Sequence, residues 1–226
     1  MIIALDIETI PNAAMVSRLP EPTIDSRLKD PAKIAEATAK AKEKQIGEMA
    51  LDALTARVCC FGAVGITANP ADDAAGFGEI ITADTDEEES TLIQSIMQTI
   101  GNDETRLVTW NGIGFDLPMI YKRAMILGID PANFGAPPLT AWTKRYSVER
   151  HYDLMQIWGG WSSQGYAKLE LVASLIIGEH RADIPYDQVP ELIKTEEGRK
   201  SVLDGCMNHT RLTWELWKKF NGTMFV

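Results

Sequence analysis

The stretch "LDIETIPN" sets Asp6 and Glu8 two apart at the end of the apolar run "IIAL". Such a run predicts a strand covered on both faces, and alternation along a strand points the two acids to the same side. Like charges about 7 Å apart at the lip of a core each raise the other's cost of ionising, so the pair needs a cation, a proton or solvent. The chemistry it suits is metal-assisted phosphodiester hydrolysis, in which carboxylates from separate elements hold two hard divalent cations about 3.5–4 Å apart. A further acid stands in "WNGIGFDLP", where a buried strand runs into Asn111, a glycine turn, Phe115 and Asp116. Asp116 has two readings, a helix cap supported by Pro118 or a ligand, and the company of Asp6 and Glu8 favours the ligand.

Elements must hold these acids together. The 226 residues suit one α/β domain with a decoration, and the net charge of −10 argues against nonspecific attraction to a polyanion. Phosphates, if bound, must meet metal ions or local basic residues. No apolar run approaches the length of a membrane span, and Asp6 interrupts the only apolar stretch resembling a secretion signal, so a cytoplasmic protein is expected. Cys59, Cys60 and Cys206 form neither an even set nor a C-x-x-C pair, so no disulfide framework or zinc knuckle is implied, and the adjacent Cys59 and Cys60 read as small strand residues.

After the first strand, an Asp-Pro start opens a long Ala-, Lys- and Glu-rich helix that reads as solvated, a helical insertion at about residues 20–56. "RVCCFGAVGIT" and "GFGEIITA" read as strands around the turn "ANPADDAAG". "DTDEEESTLIQSIMQTIG" is a helix whose acids sit in its first turn, on a solvated face, with Gly101 at its end. The strand "TRLVTWN", the helix "FDLPMIYKRAMILG", a loop over residues 130–150, helical "DLMQIW" and "YAKLELVASLIIG", and a last helix from about Thr195 to Phe220 follow. This order predicts a mixed sheet with helices on both faces.

The pattern resembles a family, the DEDD, ribonuclease-H-like 3'-to-5' exonucleases, and within it the group similar to the proofreading domain of family-B DNA polymerases. "LDIETIPN" resembles its first motif, "TWNGIGFDLPMI" its second, and "LDALTARVCCFG", "HYDLMQIW" and "KLELVASLIIG" resemble neighbouring segments of stand-alone bacterial and phage members. The resemblance implies one α/β domain over residues 1–226, a ribonuclease-H-like mixed five-stranded sheet with the insertion after strand 1. It implies two divalent cations, Mg or Mn, with Asp6 bridging both, Glu8 on one and Asp116 on the other. Asn111 and Phe115, with Ile7 and Thr9, would contact the terminal nucleotide of single-stranded nucleic acid, DNA rather than RNA.

The family's third motif, a Tyr three residues before an Asp on the last helix, is absent. "GCMNHTRLTWELW" carries Gly205 at the Tyr position and His209 at the Asp position. Val202, Cys206, His209, Thr213, Leu216 and Phe220 recur at helical spacing, which supports this alignment, whereas Asp204 lies roughly 140° around the helix from His209. A neutral imidazole ligates Mn, Fe or Zn more readily than Mg and brings no negative charge. The expected function is therefore a weakened 3'-to-5' exonuclease preferring manganese, with a catalytically inactive nucleic-acid-binding module as the alternative. Asp153 reads as a cap for "DLMQIW" or a substitute for the missing acid. His151 and His180 read as surface residues. "WTKRYSVERHY", with Tyr121, Lys122 and Arg123, offers cations and aromatic faces that suit a single strand, or a solvated loop.

Overall fold

The computed structural model describes residues 1–66, 75–102, 104–179, 184–185 and 187–224. His180, Tyr186 and residues 68–74 of the expected turn lie outside the described residues. Strand β1 (Ile2–Pro11) leads to helix α1 (Pro31–Glu48), strands β2 (Ala56–Ile66) and β3 (Ala75–Ile80), helix α2 (Asp86–Ile100), strand β4 (Arg106–Thr109) and helix α3 (Asp116–Ile126). A short helix α4 (Leu139–Trp142), strand β5 (His151–Asp153), helices α5 (Leu154–Trp158), α6 (Leu169–Ile176) and α7 (Val189–Leu192), and the long α8 (Glu196–Phe220) complete the chain. The sheet is five-stranded and mixed, in the order β3-β2-β1-β4-β5. Strand β1 pairs antiparallel with β2 and parallel with β4, so β1, β4 and β5 share one C-terminal edge.

Strand alternation separates the core by face of the sheet. Ile3, Leu5 and Ile7 face a cluster with α2 and α3, while Ala4 faces one built around α6 and α8. Asp6 and Glu8 share the parity of Ala4 and so look toward α8. Two glycines bring that helix close. Gly62 lies directly across from Asp6 in the β1/β2 register. A Cβ on Gly62 would sit 2.6 Å from Thr210 Oγ1 and 3.1 Å from Met207 Sδ, and one on Gly78 would meet Leu203 and Met207 at 2.9 Å. Without side chains at these positions α8 descends onto the sheet beside the first acid.

Helix termini follow local chemistry. Asp30 caps α1 through the Ala32 amide with Pro31 in the first turn, Thr85 caps α2 and Thr195 caps α8. No residue of α1 is buried, in keeping with its Lys- and Glu-rich surface. The acidic first turn of α2 differs from the solvated face expected. Glu89 is fully buried, accepts two hydrogen bonds from Arg123 at 2.8 and 2.6 Å and one from the Val58 amide, and pairs with Arg57. This network ties α2, α3 and β2 together, which periodicity alone could not signal.

Candidate active site

At the C-terminal edge of β1 and β4 a cleft of about 460 Å³ is lined by Asp6, Ile7, Glu8, Trp110, Asn111, Phe115, Asp116, Lys168, Ile184, Pro185 and His209. Donor atoms of Asp6, Glu8 and His209 lie within 4.8 Å of one another. Among the described residues Asp6 Oδ2 is buried and makes no hydrogen bond; His209 Nδ1 stands 3.8 Å from it. The Cys206 thiol, one turn before His209, donates to the Asp6 carbonyl at 3.6 Å and fixes the strand against α8. Two carboxylates, one of them with an unsatisfied buried oxygen, and an imidazole are a donor set that fits a divalent cation.

Asp116 enters the same cleft from the first turn of α3, with Phe115 at the cap position and making no side-chain capping bond. Burial, then the charge of Asp6, pushes the Asp116 carboxyl well above the usual carboxylate range, and Asp153 adds to this.

Asn111 stands where β4 must turn into α3. Its φ of +73° is left-handed, a conformation Asn tolerates. The next residue is glycine for a steric reason, since a Cβ on Gly112 would fall 2.2 Å from Thr109 Oγ1. Asp153 clamps this turn: one oxygen accepts from the Asn111 amide at 3.2 Å and the Gln156 amide at 3.1 Å, the other from the Ile113 amide at 2.8 Å. It is thus the cap of α5, one of its two readings, and both oxygens are committed to amides. The other possible substitute, Asp204, is exposed and does not line the cleft.

His151 is a correction. It is fully enclosed in β5, where its Nδ1 donates to the Trp142 carbonyl at 2.9 Å and its Nε2 accepts from the Thr109 hydroxyl at 2.8 Å. Thr109 Oγ1 in turn accepts from the Gly112 amide, so the histidine braces the Asn111 turn from behind. Burial lowers its pKa and keeps it neutral. A polar-looking sequence context concealed a short parallel strand, which needs only three residues to be buried.

The basic and aromatic patch also divides. Tyr121, Arg123, Trp142 and Tyr152 are buried, with Trp142 Nε1 donating to the Tyr121 hydroxyl, which donates to the Pro137 carbonyl. Lys144 and Arg150 line a separate depression with Arg106, at the opposite end of β4 from Asn111. Thr9 does not reach the cleft. Beyond the irregularity between Glu8 and Thr9, its hydroxyl donates to the Ala50 carbonyl at 2.7 Å. At Gly205 a Cβ would stand 3.1 Å from Ile184 Cδ1, so the side of α8 where the third motif carries an aromatic hydroxyl is covered by an aliphatic group.

Sequence reasoning missed Lys168, Glu170 and Trp110. Lys168, just before α6, is the cation lining the cleft among the described residues, held there as Trp110 Nε1 donates to the Ala167 carbonyl at 3.2 Å. Glu170 Oε1 stands 3.4 Å from His209 Nε2. For Lys168 and Glu170 the signal was position, at the start of a helix in "YAKLELVAS", and single charged residues there usually face solvent.

Comparison with known proteins bears on the family and the fold. A "DNA polymerase" of Thermococcus litoralis is 27% identical over 143 residues, covering 58% of this chain and 8% of that protein. "DNA polymerase 1" of Pyrococcus abyssi is 26% identical over 140 residues, 58% of this chain and 18% of that protein. The chain thus spans a small part of the polymerases it matches. The structure of the family B DNA polymerase from Pyrobaculum calidifontis superposes with a TM-score of 0.62 at 18% identity, covering 97% of this chain and 24% of that one, which supports the fold. Residues 54–224 match the family described as "Predicted 3'-5' exonuclease related to the exonuclease domain of PolB", while Asp6 and Glu8 precede the matched segment and are joined to it by the sheet. With the mixed sheet and the acids converging at its edge, the chain belongs to this family of PolB-type exonuclease domains.

Proposed function

We propose that the protein is a metal-dependent 3'-to-5' exonuclease that removes nucleotides from the 3' end of single-stranded DNA. The observation that carries this reading is the convergence of Asp6, Glu8, Asp116 and His209 on one cleft that Asn111, Phe115 and Lys168 also line. Asp6, Glu8, Asp116 and His209 would hold the two divalent cations. Bound there, Mg or Mn would activate a water toward the scissile phosphate and neutralise the charge that builds on it. Phe115, half-buried at the mouth of α3, would stack on the terminal base, Asn111 would hydrogen-bond the terminal nucleotide, and Lys168 would pair with a phosphate. These local contacts suit a chain whose net charge is −10, since phosphates are drawn to the cleft and not to the surface at large.

Gly205 and His209 favour a second reading, a module that binds a nucleic-acid end without cleaving it. Neither a tyrosine hydroxyl to orient water nor a fourth carboxylate is present at these two positions. A 3'-labelled single-stranded oligonucleotide incubated with Mg or Mn separates the two. Laddered products that vanish in Asp6→Ala support the exonuclease; an intact substrate that is still bound supports the module. In His209→Asp, Mg-supported cleavage should rise, and no gain would refute the placement of His209 in the third motif.

A further inference from the structure

His209 stands between two carboxylates from different elements. Its Nδ1 is 3.8 Å from Asp6 Oδ2 on β1 and its Nε2 is 3.4 Å from Glu170 Oε1 on α6. The two acids address opposite ring nitrogens, so they do unequal things. A proton on Nε2 meets the Glu170 carboxylate and leaves the Nδ1 lone pair directed to the side where Asp6 and Glu8 place their oxygens. A proton on Nδ1 would instead face Asp6 and block that side. Helix packing sets Glu170 beside Nε2: α6 lies against α8, with Leu169, Val172 and Ala173 buried in the same cluster as Leu212 and Leu216. Glu170, between these apolar positions, is kept partly exposed and beside the imidazole.

Charge makes the same point. Replacing an aspartate by a neutral imidazole removes one negative charge from a four-acid site. Asp6, Glu8 and Asp116 supply three, and the carboxylate of Glu170 behind the ring is the fourth. We propose that Glu170 is a positioning residue: it orients His209 to ligate through Nδ1 and returns to the site the charge lost with the aspartate, giving a nitrogen-containing site that selects manganese over magnesium. The inference rests on the reading of His209 as a metal ligand. A carboxylate hydrogen-bonded behind a ligating histidine fixes its tautomer and strengthens it as a donor, and its loss typically weakens metal binding about 10–100-fold.

The test measures Mn binding to the full chain, by the EPR signal of free Mn, in wild type, Glu170→Gln and Glu170→Asp. Glu170→Gln should bind Mn about 10–100-fold more weakly, with Glu170→Asp between it and wild type, while the thermal midpoint of the metal-free protein stays close to wild type. In parallel, nitrogen-15 spectra of the wild-type imidazole should place the His209 proton on Nε2. Unchanged Mn affinity in Glu170→Gln, a proton on Nδ1 in the wild type, or a wild type that binds no Mn would each overturn the proposal. The exonuclease reading is judged separately by oligonucleotide cleavage. A wild type that binds Mn through Glu170 yet leaves the oligonucleotide intact sinks that reading alone; one that degrades it while Glu170→Gln keeps full Mn affinity sinks this inference alone.

Discussion

Gly62→Ala probes the contact that sets α8 over the first acid. The added Cβ would stand 2.6 Å from Thr210 Oγ1, so reaching an ordinary contact of 3.4 Å requires a retreat of about 0.8 Å. Thr210 has little freedom to turn aside, because its hydroxyl donates to the Cys206 carbonyl at 2.8 Å and its side chain is fully buried. The helix backbone must therefore move, and overpacking of this kind costs about 1–3 kcal/mol. For a chain of this size that is a fall of about 2–12 °C in the thermal midpoint. His209 follows Thr210 outward, its separation from Asp6 grows beyond 3.8 Å, and Mn affinity should fall as well. Circular dichroism melts without metal, paired with Mn titration at a temperature where both proteins are folded, read the two effects independently. Gly47→Ala is the control, since nothing lies within 4 Å of a Cβ there and the position is inside α1. It should stabilise by about 0.5–1 kcal/mol. If Gly62→Ala melts with the wild type and binds Mn equally well, the account of how the helix is placed is wrong.

Further outcomes concern the parts around the cleft. Glu89→Gln leaves Arg123 and Arg57 without their buried counter-charge and should cost about 3–5 kcal/mol, measured by urea unfolding at neutral pH; a loss under 1 kcal/mol would show that the network is dispensable. The three cysteines are buried. Burial raises the Cys59 thiol well above its usual value, and a hydrogen bond with Cys60, then burial, does the same for Cys206, so both should resist a thiol reagent at pH 8 until denaturant is added. His151 is held neutral mainly by burial, against the opposing charge of Asp153. Its folded pKa lies below the usual 6.5, so the stability it confers is present above that pH and is lost as the pH falls from there toward the folded value. The urea midpoint of the wild type should therefore drop more steeply between pH 7 and pH 5 than that of His151→Asn, and parallel profiles would count against the buried relay to Thr109.

Much of this site is written along the chain. The parity of Asp6 and Glu8, the Asn-Gly turn before Phe115 and Asp116, and the helical face carrying Cys206, His209 and Thr213 all follow from the periods of strand and helix. They are local rules, and they also fix the termini of α1, α2 and α8 through Asp30, Thr85 and Thr195. Tertiary structure alone decided which charges are spent inside the fold. Arg123 looked available to phosphate and is instead the partner of Glu89, while His151 looked exposed and braces the turn beneath Asn111. It also chose Lys168 and Glu170 from among many similar side chains, by docking the start of α6 beside the cleft and against α8. The physical reason is range. Backbone periodicity acts over a few residues and leaves its mark in sequence, but the partner of a charge is set by which distant elements the core brings within a few ångströms.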